Sequence, residues 1–265
     1  MPPLPDSLLP MIDIHSHVLY GVDDGADTVD HSVDMLEMAV ANGTTDIVAS
    51  PHANTEFNYP SEVVEQRVSE LNQLMGGRIR VYSGCDFHLK FDNVNDALEN
   101  PQKYTIDHKR YLLVELSDMV IFKSTEPDFQ RLQQAGMLLV ITHPERNPLL
   151  QQRMEQLQDW IEMGCYLQVT AGSLFGRFGR RANAFAEELM KRNMVHFLAS
   201  DAHDCNHRPP ILTEAYKLVT KKYGDRRAMQ LMVEHPRLAL QGEPLPVASA
   251  PVPEEAPKSW RTLWR

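Results

Sequence analysis

The sequence predicts an α/β fold, a distorted or incomplete (β/α) barrel rather than an open doubly wound sheet, on two observations. Seven short apolar, β-branched runs alternate with longer segments of helical period, the pattern of repeated βα units around a parallel sheet. The 265-residue length suits one large α/β domain with a full core.

The strand runs are "MIDIH" (11–15), "TDIVAS" (45–50), "IRVYSG" (79–84), "YLLVEL" (111–116), "MLLVIT" (137–142), "CYLQVT" (165–170) and "VHFLAS" (195–200). After the first, "DTVDHSVDMLEMAVANG" sets Val29, Val33, Leu36, Met38 and Val40 near one helical face and stops at Asn42-Gly43, a C-terminal signal. "PSEVVEQRVSELNQLMGG" begins with proline, takes Ser61 as N-cap and ends in Gly76-Gly77. Further helices are expected near 125–135, 151–163, 180–193, 211–222 and 225–233. From about Gln241 the text becomes "QGEPLPVASAPVPEEAPKSWRTLWR", where proline opposes continuous helix or sheet. The expected organisation is one folded domain over 1–245 and a Pro-rich flexible tail over 246–265.

A net charge of -10 gives no overall positive field for nucleic acid and is compatible with cations. Cys85, Cys165 and Cys205 are odd in number and form no CxxC pair, which fits a reducing compartment. No run approaches the roughly 20 apolar residues of a membrane span, and "MPPLPDSLLP" lacks the charge and apolar stretch of a secretory leader. A cytoplasmic protein with no membrane span is the expectation.

In a barrel the C-terminal strand ends converge on one mouth. His15 and His17 follow the first strand, with Asp23 and Asp24 beyond; His52 follows the second, Asp86 and His88 the third, His143 the fifth, and Asp201 and His203 the seventh. Glu115 lies inside the fourth, where an unpaired carboxylate needs a cation or hydrogen-bond donors. Six of seven strand ends thus deliver imidazole or carboxylate, a set that favours a metal cluster. Mixed nitrogen and oxygen donors without thiolate suit manganese, iron, zinc or cobalt better than calcium, and bridging carboxylates favour more than one ion.

Arg146 stands three residues after His143, and Arg208 five after His203. Each alone serves equally well in a surface ion pair; both on ligand-bearing loops tilt the reading toward a bound phosphate. "TAGSLFGRFGRRA" (170–182) brings glycines, Ser173 and Arg177 before a helix, an anion-facing rim, whereas Arg180 and Arg181 fit a solvated basic face at least as well. A cysteine phosphatase needs arginine six residues after its nucleophile; Phe91, Ala171 and Ile211 stand there instead.

The segments "MIDIHSHVLYGVDDGADT", "ASPHAN", "LLVEL", "ITHPERN", "LQVTAGSLFGRFGRRA" and "ASDAHD", in order over residues 11 to 208, resemble the PHP-domain phosphoesterases, and among them the CpsB/YwqE-type metal-dependent protein tyrosine phosphatases. The resemblance implies a distorted (β/α)7 TIM-like barrel with two or three ions per chain, manganese first and iron, cobalt or zinc as alternatives. Carried over by position, His15, His17, Asp24, His52, Glu115, His143, Asp201 and His203 match its metal ligands. Asp86 stands where the family usually has glutamate, and the shorter side chain either still reaches or leaves the third site weak. Arg146 and Arg208 match its phosphate-binding arginines, with Arg177 a further substrate-binding residue.

The implied substrate is phosphotyrosine on the tail of a bacterial tyrosine kinase controlling capsular or exopolysaccharide synthesis. The expected chemistry is in-line attack by a metal-bridging hydroxide, with His203 or a water assisting the phenolate leaving group. An oligomer is compatible with the sequence. The rivals are a small-molecule phosphatase of the histidinol-phosphate kind, a PHP nuclease module, and a non-enzymatic metal-stabilised regulatory module that binds through its tail.

Overall fold

The structure is a computed structural model that describes residues 10–246. From residue 247 onward, the expected flexible tail lies outside the described residues.

All seven predicted strands form, as β1 (Met11–Ser16), β2 (Thr44–Ala49), β4 (Arg80–Ser83), β6 (Tyr111–Glu115), β7 (Leu138–Thr142), β8 (Tyr166–Thr170) and β9 (Phe197–Ala199). Two short strands were not anticipated, β3 (His52–Ala53) and β5 (Asp86–His88). Every pairing is parallel, in the orders β1-β2-β4 and β3-β5-β6-β7-β8-β9. β3 and β5 prolong the lines of β2 and β4 past breaks at Ser50-Pro51 and Gly84-Cys85. A Cβ on Gly84 would lie 2.6 Å from the Val48 side chain, so only glycine lets the two lines pass so closely. At the far edge the Asp201 N–H donates to the His15 carbonyl (2.9 Å) and the His17 N–H to that of Ala202 (2.8 Å). The seventh line thereby returns to the first, and the strands make a distorted barrel.

The helices are α1 (Val29–Ala41), α2 (Ser61–Met75), α3 (Phe91–Glu99), α4 (Thr125–Gln134), α5 (Met154–Glu162), α6 (Gly179–Lys191), α7 (Thr213–Tyr223), α8 (Asp225–Met229) and α9 (His235–Gln241). The α1 face differs from expectation: Ser32, Met35, Leu36 and Ala39 are buried, while Val33, Met38 and Val40 are only partly covered. Ser61 is not the N-cap of α2; Pro60 holds that place and has no side-chain acceptor. α3 was not foreseen; of its apolar residues Val94 and Ala97 are buried, Leu98 is partly covered against the core and Phe91 is exposed. The C-terminal helical stretch continues past 233 through a π-helical turn, Gln230–Glu234, into α9. That widened turn precedes Pro236, which has no N–H to close an ordinary turn.

α9 and the residues after it cover the N-terminal strand ends. Ala239 and Leu240 join a buried cluster with Ile12, Val48, Leu113, Val140 and Phe197. The Tyr111 hydroxyl donates to the Glu243 carbonyl (2.7 Å), and the Leu245 N–H to the Tyr166 hydroxyl (3.3 Å).

Beside them His196 accepts the Leu167 N–H on Nδ1 at 3.1 Å, which requires that nitrogen to be unprotonated. Burial, aided by His235 and Arg227, pushes its pKa from 6.5 down to about 3. Between those values the unfolded chain binds a proton that the folded chain refuses. This contribution is complete above the unfolded value and is lost as pH falls toward the folded one. His196→Gln is expected to flatten the decline of denaturation midpoint between about pH 6.5 and pH 4; parallel slopes for the two proteins would remove His196 as its cause.

Candidate metal centre

His15 and His17, two apart on one strand, share a face. Each has its Nδ1 engaged: His15 donates to Gln168 Oε1 (3.1 Å) and His17 to Asp23 Oδ2 (2.6 Å). Both Nε2 lone pairs are therefore aimed inward, and these atoms lie 3.3 Å apart. Two lone pairs so close repel unless a cation or proton lies between them. Asp23 is itself held by the N–H groups of Gly25 (3.0 Å) and His52 (3.1 Å). A Cβ on Gly25 would fall 2.0 Å from the His17 carbonyl oxygen, so the "GVDDGA" loop needs glycine to fold back over that strand end.

Around this pair, Asp86 Oδ2 lies 3.5 Å from His15 Nε2, 3.3 Å from His52 Nδ1 and 3.8 Å from His143 Nε2. Glu115 approaches His52 (3.6 Å) and His143 (3.8 Å), and Asp24 Oδ1 lies 3.5 Å from the Nε2 atoms of both His52 and His203. Asp201 Oδ1 is 3.5 Å from both His15 Nε2 and His17 Nε2. All nine residues expected as ligands thus meet at one mouth. Their donor atoms form three overlapping groups fit for an ion: His17, Asp24, His52 and His203; His15, His17 and Asp86; His52, Asp86 and Glu115. Asp86 Oδ2 and His52 Nδ1 are buried without a hydrogen-bond partner, so the donor set fits divalent cations.

The electrostatics match that fit. Burial opposes ionisation of Asp86, yet His15, His143 and His52 hold it well below the usual carboxylate range. Burial likewise opposes the Asp201 charge, and His15, Arg146, His17 and Arg208 outweigh it. For His17 burial acts against the charged ring, but Asp23 and Asp201 push the pKa up to about 10, so a cation bound there displaces a proton. Burial, with His17 adding to it, lowers His203 to about 4. His143 and Asp201 adopt left-handed backbone with φ of 33° and 53°, a strain that clusters at functional sites.

Asp201 has a second side. Its Oδ2 accepts from Arg146 and forms an ion pair with Arg208 Nη2 at 2.6 Å, so one carboxylate joins the histidine pair to both guanidiniums. Arg177 is not among them: it is exposed and donates to the His207 carbonyl (3.2 Å) in the loop that carries Arg208. Sequence reasoning assigned no role to Asp23 or Gln168, the partners that aim His17 and His15. Asp23 stood in a quoted motif, whereas Gln168, 153 residues from His15, gave no signal beyond a polar residue in an apolar strand. His88 faces Glu115 at 3.6 Å; it stands at a strand end but is not among the expected ligands.

Fold and site define a class: parallel-strand barrels whose C-terminal strand ends gather histidines and carboxylates fit for several divalent ions. Within it, the family described as capsular polysaccharide synthesis, CpsB/CapC, matches residues 11–241, and the chain belongs to that family. Tyrosine-protein phosphatase CpsB of Streptococcus agalactiae is 31% identical over 252 residues, covering 87% of this chain and 98% of the relative. Tyrosine-protein phosphatase YwqE of Bacillus subtilis is 32% identical over 246 residues, covering 88% and 92%. A crystal structure from work on Bacillus subtilis YwqE and Streptococcus pneumoniae CpsB, described as unique metal-dependent tyrosine phosphatases, superposes with a TM-score of 0.81 at 32% identity, covering 90% of this chain and all of that one.

Proposed function

We propose that this protein is a metal-dependent protein tyrosine phosphatase acting on phosphotyrosine of a bacterial tyrosine kinase that controls capsular or exopolysaccharide synthesis. The observation that carries the reading is Asp201, which places two guanidiniums one carboxylate away from the histidine pair. Its substrate class and capsule link rest on the family and on the names of the relatives.

His15, His17, Asp24, His52, Asp86, Glu115, His143, Asp201 and His203 would hold the ions, two or three of them, manganese before iron, cobalt or zinc. When bound, such ions lower the pKa of water and neutralise phosphoryl charge. Arg146 and Arg208, held beside the cluster by Asp201, face the phosphate and hold its charge as the phosphorus–oxygen bond to tyrosine breaks. Asp23 and Gln168 keep both imidazoles aimed. Tyrosine leaves as a phenolate of pKa about 10, which needs no strong acid. His203, uncharged above about pH 4, suits an electron-pair donor better than a proton donor. No helix among the described residues is long and apolar enough to cross a membrane, and we place the enzyme in the cytoplasm.

Chelation is expected to abolish hydrolysis of p-nitrophenyl phosphate, and readded manganese to restore it, with a phosphotyrosyl peptide preferred over histidinol phosphate. A Cys85→Ser/Cys165→Ser/Cys205→Ser protein that folds should keep its turnover. Failure to regain turnover with manganese, iron, cobalt, zinc or magnesium would overturn the proposal; preference for histidinol phosphate would move the substrate to small molecules.

A further inference from the structure

The loop between β8 and α6 leaves an aromatic ring against both arginines of the site. The Arg146 guanidinium carbon lies 4.4 Å from the centroid of the Phe178 ring, and that of Arg208 lies 5.7 Å from it. We propose that Phe178 is a positioning residue for the phosphate site, one ring that fixes two guanidinium groups arriving from different loops. The inference rests on the reading of Arg146 and Arg208 as phosphate-binding.

The loop is built for that placement. Glu145, the chain neighbour of Arg146, is fully buried; its Oε1 accepts from the Thr170 N–H (3.0 Å) and the Ser173 hydroxyl (2.7 Å). Asn183 of α6 donates to the Ser173 carbonyl (2.9 Å), tying the turn to the helix that begins after Phe178. Glu145 therefore anchors the short 3-10 turn Ala171–Phe175 while the next residue, Arg146, rests on the ring beyond it. Gly172 leaves room for the ring: a Cβ there would lie 3.3 Å from Phe178 Cε2 and 3.1 Å from Arg177 Cδ, so one of these side chains would have to shift by a few tenths of an ångström.

Two guanidiniums beside one carboxylate repel each other, and Asp201 restrains only their nitrogen ends. An aromatic face attracts a cation through its quadrupole and restricts the guanidinium plane, which Asp201 alone leaves free to swing. Phe178 thus keeps two flexible side chains near the orientation in which they meet phosphate oxygens, and its effect belongs to anion binding rather than to metal loading.

The test compares Phe178→Leu, Phe178→Tyr and Gly172→Ala on the metal-loaded protein, reading inorganic phosphate affinity by calorimetry, KM and kcat for p-nitrophenyl phosphate, metal content and thermal midpoint. Phe178→Leu is expected to weaken phosphate binding about 5- to 10-fold and raise KM similarly, with metal content and midpoint unchanged. Phe178→Tyr should stay within about twofold of the parent, and Gly172→Ala, which crowds the ring, should fall between. Unchanged phosphate affinity in Phe178→Leu, or an equal loss in Phe178→Tyr, overturns the inference. Should Phe178→Leu fail to fold, unchanged phosphate affinity in a folded Gly172→Ala protein overturns it. Failure of the parent to bind phosphate at all would instead overturn the reading of the arginines.

Discussion

Asp201→Ala is expected to lower kcat/KM at least about 10³-fold and to reduce the metal content of the protein. The carboxylate is engaged on both sides, Oδ1 toward His15 and His17 and Oδ2 toward Arg146 and Arg208. Its loss withdraws one anionic donor from the cluster and leaves two partly buried guanidiniums without their shared counter-charge. Asp201→Asn separates these effects. The amide oxygen still accepts a hydrogen bond, but the charge that pairs with both guanidiniums and faces the histidine pair is gone, so metal content should fall while the fold survives. Full metal occupancy with parental turnover in either variant would show that Asp201 is a structural partner of the arginines alone.

The contrasting result is expected for Arg146→Ala: metal content unchanged, and kcat/KM for an aryl phosphate down about 10²-fold. Arg146 touches the cluster through Asp201, so its removal leaves the three candidate donor groups untouched. Arg146→Lys should recover only part of the loss, because an ammonium offers a point charge where the guanidinium offers a planar fork. The double substitution with Arg208→Ala should cost less than the product of the single effects, since both groups address one phosphate and share one carboxylate. Unaltered phosphate inhibition and turnover in Arg146→Ala would remove it from the substrate site.

Much of this was legible because barrel strands are local. The β-branched runs around Ile47, Leu113 and Val140 declare themselves within five or six residues, and the polar residues that follow each run fall where the strand ends must fall. The two broken strand lines were not legible. Pro51 and Gly84 signal interruption, but that β3 and β5 resume beyond them depends on their pairing with each other and with β6. The α1 face was misplaced for a related reason: Ser32 is buried by its neighbours in the barrel, and hydrophobicity alone favours Met38. At the site, residue types revealed donors but not what aims them. His17 and Asp23 are six apart and sit in one motif, whereas Gln168 and Phe178 act on residues far away in sequence, and only the folded chain shows the juxtaposition.

The return of the last strand line to the first, through the hydrogen bonds of His17 and Asp201 to Ala202 and His15, sets an order on biosynthesis. His17 leaves the ribosome long before His203, yet the donor group it shares with Asp24 and His52 is completed only by His203. A nascent chain therefore exposes an unfinished donor set until β9 and the loop after it have been made. On the reading of these residues as metal ligands, metal selection is in this way a late event, set by the return of the last strand line to the first rather than by the first donors to meet an ion.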